Sequence, residues 1–228
     1  MNHTITKFEG GFKEQYPSGA VEEAFFEYES SVTVLFRDGR KRQLPLNPSS
    51  YQMQFGIPFS LDGKLLFFYT WEKGVEAICL ETGETVWRLR AKHASRIAVY
   101  ESYLIVIQQG IAVLKVEIAT GRILARIGCD VSRRFDLIGS YQLIDSIRGK
   151  VCILDTGDMS IRKSYQNGCI NPNHYPTCII QSAELKGNVL SISGFEEGGP
   201  QTWTEPGGRF KPPIYFTRVI DEHFYEGL

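Results

Sequence analysis

The stretch Gly74-Val-Glu-Ala-Ile-Cys-Leu-Glu-Thr-Gly-Glu-Thr-Val-Trp87 decides the fold, because two short apolar runs flank a turn dipeptide. The runs Val75–Leu80 and Glu84–Leu89 are typical of β-strands, and Thr82-Gly83 lies between them. Glycine supplies the positive φ that a tight two-residue turn requires. The stretch therefore predicts a β-hairpin.

The same pattern occurs four times, which indicates a repeat architecture. The other turn dipeptides are Asp38-Gly39, Thr120-Gly121 and Thr156-Gly157. Successive turn glycines are separated by 44, 38 and 36 residues. A further apolar strand precedes each of the last three hairpins, at Leu65–Tyr69, Leu104–Gln108 and Gln142–Ser146. In front of that strand lies another apolar segment, such as Arg96–Tyr100 or Phe135–Ile138. Each period therefore holds about four short strands, and no sustained helical periodicity interrupts them.

Four strands in every ~40–45 residues are typical of a β-propeller. A β-sandwich is the alternative, since it also has short strands and regular turns. At this period the 228 residues allow about five blades. We therefore predict a single all-β domain over residues 1–228, a small propeller of about five four-stranded blades. A fifth unit is expected at Cys178–Leu185, Asn188–Phe195 and Ile214–Ile220. Residues 1–30 are expected to close the ring or to fill the first blade, with Glu22–Tyr28 and Ile214–Ile220 as the candidate strands for closure.

The apolar positions of the repeat define the expected core. It comprises Trp87 and the aliphatic residues Ile78, Leu80, Val113, Val116, Leu124 and Ile153. Cys79 and Cys152 lie inside apolar strands, so we expect them to be small buried side chains. The basic run Arg37–Arg42 is expected to be a solvated hairpin tip.

The second repeat resembles that of quinoprotein-like propellers, in which a strand, a Thr-Gly turn and a strand ending in tryptophan follow one another. Gly110 to Leu124 resembles it again without the tryptophan, and Lys150 to Ile161 is a weaker match. The resemblance implies a propeller in which Trp87 packs between adjacent blades. It implies no cofactor here, because the quinone-dependent members have adjacent cysteines and this chain has none. Smaller members are binding or scaffolding proteins, which implies a binding role.

Composition and motifs narrow the function further. The net charge of −1 argues against a protein that coats nucleic acid. No apolar run approaches the ~18 residues of a membrane-spanning helix, and no secretory signal is recognisable, so a cytoplasmic protein without membrane contact is expected. The four histidines have no metal-binding spacing, and no Cys-x-x-Cys or Gly-x-Ser-x-Gly motif occurs. We therefore assign no catalytic residue, metal site or cofactor.

Topology provides a candidate binding face. In four-stranded blades the loops between the second and third strands share one end with the connections between blades. The residues expected there mix aromatic, amide and charged side chains: Trp71, Glu72, His93, Gln108, Gln109, Arg133, Arg134, Arg148, His174, Tyr175 and Trp203. This composition is typical of protein interfaces. We therefore expect a non-enzymatic protein-binding propeller, with an immunity protein that neutralises a bacterial toxin as one class.

Two alternatives remain open at this stage. One is a small hydrolase or lyase with its site at the propeller channel, for which the acid–base candidates are Asp136, Asp145, Glu101 and His93. The other is a lectin-like propeller, in which Trp71, Tyr141 and Trp203 would stack on sugar rings. The irregular placement of these aromatic residues favours the lectin less than protein binding.

Overall fold

The computed structural model describes residues 4–28, 30–46, 58–100, 102–129, 131–138, 141–146, 150–166, 178–196, 214–226 and 228. These residues form nineteen β-strands and no helix. No described segment is a helix long and apolar enough to cross a membrane. The chain divides into two compact units, residues 1–109 with 113–126 and residues 110–112 with 127–228. The single domain expected from the sequence stays a prediction.

The first unit contains the first two sheets and most of the third. The five-stranded first sheet has the order β1 (Thr4–Phe8), β2 (Gly11–Gln15), β3 (Val21–Glu27), β4 (Ser31–Phe36) and β5 (Lys41–Leu44). The second sheet has the order β6 (Leu65–Thr70), β7 (Gly74–Cys79) and β8 (Thr85–Leu89). The third consists of β9 (Ala94–Val99), β10 (Tyr103–Gln108), β11 (Ala112–Glu117) and β12 (Ile123–Gly128).

The second unit contains the fourth and fifth sheets. The fourth has the order β13 (Val131–Ile138), β14 (Tyr141–Ser146), β15 (Lys150–Asp155) and β16 (Ser160–Gln166). The fifth has the order β17 (Cys178–Lys186), β18 (Val189–Glu196) and β19 (Ile214–Asp221). A buried cluster around Val151, Ile153, Ile192 and Phe224 forms the core of this unit.

The five sheets match the predicted number of blades, and each is built from strands that follow one another in the chain. Their strand numbers are five, three, four, four and three, so not every sheet has the four described strands that were expected. In the second sheet an isolated bridge between Phe59 and Leu66 lies beside β6, where a further strand was expected. The fifth sheet joins the three segments that were expected to form the fifth unit, and Glu22–Tyr28 pairs within the first sheet, as expected if residues 1–30 fill the first blade.

Burial differs systematically across each sheet. In β6 and β10 the four central residues are all buried, so both faces of these strands are covered. The last strands of the second and third sheets, β8 and β12, are mostly exposed because they lie at a sheet edge. This explains why the core prediction was wrong at Leu124, which lies in β12 and is 44% exposed. The other predicted core residues are buried, as expected.

The repeated turns share one mechanism. Gly39, Gly83 and Gly121 all have positive φ, as predicted. The side chain before each glycine accepts a hydrogen bond from the amide of the residue after it, so Asp38 binds the Arg40 amide and Thr82 binds the Glu84 amide. The Thr120 hydroxyl likewise accepts from the Arg122 amide, 3.2 Å away. The connections contain four or five residues, not the two that the sequence led us to expect.

The fourth turn was misplaced by the sequence pattern. Gly157 does not have positive φ, whereas Met159 does, at 60°. Asp158 accepts a hydrogen bond from the Ser160 amide, so the pair Asp158-Met159 takes the place that Thr-Gly has in the other repeats. With this correction the spacings between positive-φ residues become 44, 38 and 38 residues. The repeat is therefore more regular than the glycines alone indicate.

Trp87 packs on the turn of the next sheet, as the sequence resemblance implied. Its ring would lie 2.7 Å from a Cβ atom built on Gly121, and its Nε1 donates a 2.8 Å hydrogen bond to the carbonyl of Ile118. Leu44 of β5 packs on Gly83 in the same way, since its Cδ2 atom would lie 3.6 Å from a Cβ atom built on Gly83. In this unit an outer-strand residue thus covers the turn glycine of the following sheet.

Two further expectations need correction. Cys79 and Cys152 are half-buried rather than buried, at the end of β7 and near the start of β15. The tip around Arg37 is not simply solvated, since the Arg37 guanidinium donates hydrogen bonds to the carbonyl groups of Tyr16 and Gly19. Arg37 therefore fixes the connection between β2 and β3.

Candidate functional site

A stacked aromatic pair lies at one end of the second sheet. The rings of Trp71 and His93 are nearly parallel, with an interplanar angle of 7° and centroids 4.7 Å apart. Trp71 is half-buried and follows β6, whereas His93 is exposed and precedes β9. The sequence analysis placed both residues at the same end of the blades, and the structure brings them into direct contact.

Backbone hydrogen bonds tie three loops together around this pair. The His93 amide donates to the Trp71 carbonyl at 2.6 Å, and the Gln109 amide donates to the His93 carbonyl at 2.9 Å. Gln108 Nε2 donates to the Lys92 carbonyl, also at 2.9 Å. We call residues 71–73, 90–93 and 108–109 the platform loops. They bring together five of the predicted partner-binding residues: Trp71, Glu72, His93, Gln108 and Gln109.

Local sequence explains why these loops can approach so closely. Gly74 has a φ of 99°, and a Cβ atom there would lie 2.2 Å from the Leu89 carbonyl and 2.4 Å from the Ala91 amide nitrogen. Only glycine allows that approach. His93 has a φ of 63°, in the left-handed region that non-glycine residues seldom adopt. The surrounding hydrogen bonds hold His93 in this conformation, and such backbone outliers cluster at functional sites.

The other predicted partner-binding residues are not part of the described platform. Arg133 and Arg134 were expected in a loop, but the structure places them within β13. The pairing of β13 with β14 shifts its register between Val131 and Phe135, so the two arginines lie at a bulge. A bulge and a loop both interrupt an apolar pattern, which explains the error. Four residues lie outside the described residues: Arg148, His174, Tyr175 and Trp203.

The residues of the two alternative functions are spread over different elements. Asp136 lies in β13 and Asp145 in β14, while Glu101 falls outside the described residues. Tyr141, a lectin candidate, is half-buried and packs edge-on against the buried ring of Phe224. Tyr141 therefore serves the core of the second unit. Among the described residues no group of three His, Cys, Asp or Glu side chains could hold a metal ion.

A polar cluster in the second unit was missed by the sequence analysis. Lys163 Nζ donates to Asp221 Oδ2 at 3.1 Å and to the Phe224 carbonyl at 2.7 Å. The Tyr165 hydroxyl donates to the same carboxylate oxygen of Asp221. Lys163 lies four residues after Met159, as Trp87 lies four residues after Gly83. Aligning the fourth repeat on Met159 would have revealed Lys163 as the counterpart of Trp87.

Burial and hydrogen bonding set the electrostatics of this cluster. Burial and the neighbouring Asp221 carboxylate raise the pKa of Tyr165. Burial alone would raise the pKa of Asp221, but hydrogen bonds from Tyr165, the His223 amide and Lys163 outweigh it and lower that pKa. Asp221 therefore stays ionised and anchors the C-terminal segment that carries Phe224, whose side chain is fully buried. This cluster stabilises the second unit and presents no free group for chemistry.

The half-buried thiol of Cys79 is also perturbed. Hydrogen bonds from the backbone and the side chain of Thr82 lower its pKa. Cys79 is the last residue of β7, at the end of the sheet opposite the platform loops. It therefore does not add to the candidate site.

The antiparallel sheets of consecutive strands define the class of this protein, which is a β-propeller. No family model matches the chain, and no curated protein matches it either. Similar solved structures are β-propellers, in agreement with the resemblance drawn from the repeat.

Three of these structures illustrate the likeness. BamB from Moraxella catarrhalis is 13% identical with a TM-score of 0.50, and the match covers 92% of this chain and 60% of BamB. The Cps50 (Swd1) β-propeller domain from Myceliophteria thermophila is 14% identical with a TM-score of 0.52, covering 94% and 74%. The dihydro-heme d1 dehydrogenase NirN, in complex with DHE, is 10% identical with a TM-score of 0.56, covering 96% and 55%. At these identities the likeness shows the fold alone.

Proposed function

We propose that this chain is a non-enzymatic, protein-binding β-propeller whose partner contacts the platform loops. The observation that carries the proposal is the stacked pair of Trp71 and His93, held at one end of the second sheet by backbone hydrogen bonds. Tryptophan is enriched among the residues that dominate the affinity of protein interfaces. A partner that covers Trp71 would bury the remaining apolar surface of its ring.

Fixed geometry supports binding because it lowers the entropy that is lost when a complex forms. Trp71 is held from the backbone side by the His93 amide, and His93 in turn by the Gln109 amide. The Gln108 side chain adds a third constraint on the same loop. The platform loops therefore present one arrangement to a partner.

The surroundings of the pair also fit a protein interface. Glu72 and His93 are exposed and polar, Gln108 and Gln109 are half-buried amides, and Trp71 provides the apolar centre. Interfaces commonly combine an aromatic centre with a polar rim in this way.

Affinity capture with variants tests the proposal. The full chain is immobilised, incubated with lysate of its native cell, and the proteins captured are quantified for wild type, Trp71→Ala and Tyr215→Ala. Tyr215 is the matched control, since its ring is 70% exposed in β19. We expect Trp71→Ala to lose the partner, with about a 10-fold or greater loss of affinity on purified components, and Tyr215→Ala to retain it. Equal capture by all three would contradict the proposed site.

The finer form of the proposal is an immunity protein that neutralises a bacterial toxin in the cytoplasm. It is supported by the hydrogen-bonded platform loops, which hold an aromatic pair at one end of the second sheet. The test is coexpression in bacteria with the product of an adjacent gene. Growth should be inhibited by that product alone, rescued by this chain, and rescued less well by the Trp71→Ala variant.

A further inference from the structure

We propose that the platform loops recognise an acidic protein segment, one in which Asp and Glu flank an aromatic side chain. This inference rests on the proposed function and names the chemistry of the partner. It follows from the charges of the loops that carry the Trp71–His93 pair.

Cations predominate in the platform loops. Lys73, Arg90 and Lys92 are all exposed, whereas Glu72 is the one carboxylate in these loops. Among the described residues, none of the three cations forms an ion pair. All three are accessible to an approaching partner.

At the hairpin end of the first unit four cations have a carboxylate partner. Arg40 pairs with Asp38 at 2.8 Å, and Lys64 pairs with Asp62 at 3.3 Å. Arg42 lies 3.8 Å from Glu81, and Arg122 lies 3.6 Å from Glu117. Arg37 is bound by backbone carbonyl groups instead. In the platform loops three exposed cations accompany a single carboxylate.

The loops that carry these cations meet at the aromatic pair. The contact between Trp71 and His93 joins the loop that carries Lys73 to the loop that carries Arg90 and Lys92. Gln108 fixes the backbone at the Lys92 carbonyl while leaving the Lys92 side chain exposed. Complementary charge steers association and fixes the register of a partner. A partner segment with an aromatic side chain that stacks on Trp71 and carboxylates on either side would contact both the ring and the cations of the platform loops.

An acidic protein segment fits better than nucleic acid. Nucleic-acid binding depends on many phosphate contacts, each made by a cation. The platform loops offer three cations and one carboxylate, within a chain whose net charge is −1. Three cations match a short run of carboxylates, and arginine forms paired hydrogen bonds with a carboxylate.

Selection from a random peptide library tests the inference without knowledge of the partner. A displayed library of random peptides of about a dozen residues is selected on the wild-type chain and on the triple variant Lys73→Glu, Arg90→Glu, Lys92→Glu. The control triple variant is Lys41→Glu, Lys64→Glu, Lys186→Glu, in which three exposed lysines away from the platform change charge by the same amount. Near-ultraviolet circular dichroism and thermal melting confirm that each variant is folded.

We expect peptides selected on wild type to have negative net charge and an aromatic residue. Their affinity should fall about 10-fold or more in the platform triple variant and change little in the control. Neutral or basic peptides, no enrichment at all, or equal loss in both variants would overturn the inference. So would a single-stranded oligonucleotide that competes for the platform more strongly than the selected peptides.

Native partner capture separates failure of this inference from failure of the proposed function. If Trp71→Ala abolishes capture but the platform triple variant leaves it unchanged, the binding site stands and the acidic partner is wrong. If neither variant affects capture, both proposals fail. If both variants abolish capture while the control triple variant does not, both are supported.

Discussion

The substitution Gly121→Ala tests how consecutive sheets pack in the first unit. The methyl group meets two obstacles in the structure. First, Gly121 has a φ of 72°, a conformation that costs an L-residue roughly 1–2 kcal/mol. Second, the new Cβ would lie 2.7 Å from two ring carbons of Trp87, about 1 Å inside normal contact. Displacing the ring adds an overpacking cost of about 1–3 kcal/mol.

The expected loss of unfolding free energy for Gly121→Ala is therefore roughly 2–5 kcal/mol. Gly39→Ala is the matched control, because Gly39 lies at the same position of its turn, with a φ of 85° and nothing within 4 Å of the added methyl group. It should lose only about 1–2 kcal/mol. Urea unfolding followed by far-ultraviolet circular dichroism measures both losses.

A double-mutant cycle identifies the source of the difference. Trp87→Ala alone should lose about 3–5 kcal/mol, since it removes a buried ring and its hydrogen bond to the Ile118 carbonyl. In that background Gly121→Ala should lose only the backbone component, which leaves a coupling energy of at least about 1 kcal/mol. Equal losses for Gly121→Ala and Gly39→Ala, or a loss below about 1 kcal/mol for Trp87→Ala, would refute this packing arrangement.

Three further predictions concern other parts of the fold. Leu124→Gln should change the unfolding free energy by less than about 0.5 kcal/mol, because Leu124 is exposed at a sheet edge, whereas Val113→Ala should cost about 1–3 kcal/mol in chemical denaturation. Arg37→Ala should lower the free energy of unfolding by about 1–2 kcal/mol, because it removes two hydrogen bonds to backbone carbonyls. Arg40→Ala should lower it by less than about 1 kcal/mol, since its ion pair with Asp38 is exposed, and equal losses for the two variants would contradict this role of Arg37. Because the pKa of Asp221 is lowered in the fold, its ionised carboxylate stabilises the protein. This stabilisation is fully present above the unfolded pKa of about 3.9 and is lost as pH falls through the folded pKa. Asp221→Asn should therefore flatten the decline of the melting temperature at acid pH, and an unchanged decline would exclude this role.

The repeat made much of the fold predictable, because its information is local. An apolar run, a turn residue with positive φ and a second run are all visible around Gly83 and Gly121. Whether a strand lies inside its sheet or at the edge is not determined by the local sequence. Leu124 follows Gly121 by three residues, the position that the exposed Val86 has after Gly83, whereas the buried Trp87 follows Gly83 by four. The fourth turn was misread because a methionine, Met159, takes a conformation that favours glycine.

The candidate site was predictable in part. Blade topology predicted Trp71 and His93 at one end of the sheets, and in the structure their rings stack. The stacking itself depends on Gly74 and on the backbone conformation of His93, for which the sequence has no recognisable signal. Lys163 was missed because its role depends on an alignment through Met159, and a lysine in an edge strand ordinarily indicates solvent exposure.

Hydrogen exchange of the full chain, with and without its captured partner, tests the central claim most directly. Protein binding at the platform predicts slower exchange of the amides at residues 71–73, 90–93 and 108–109 in the complex. The hairpin turns at 37–40, 80–84 and 118–122 lie at the other end of these sheets, so their exchange should not change. Protection of the hairpin turns, with unchanged exchange in the platform loops, would contradict the account.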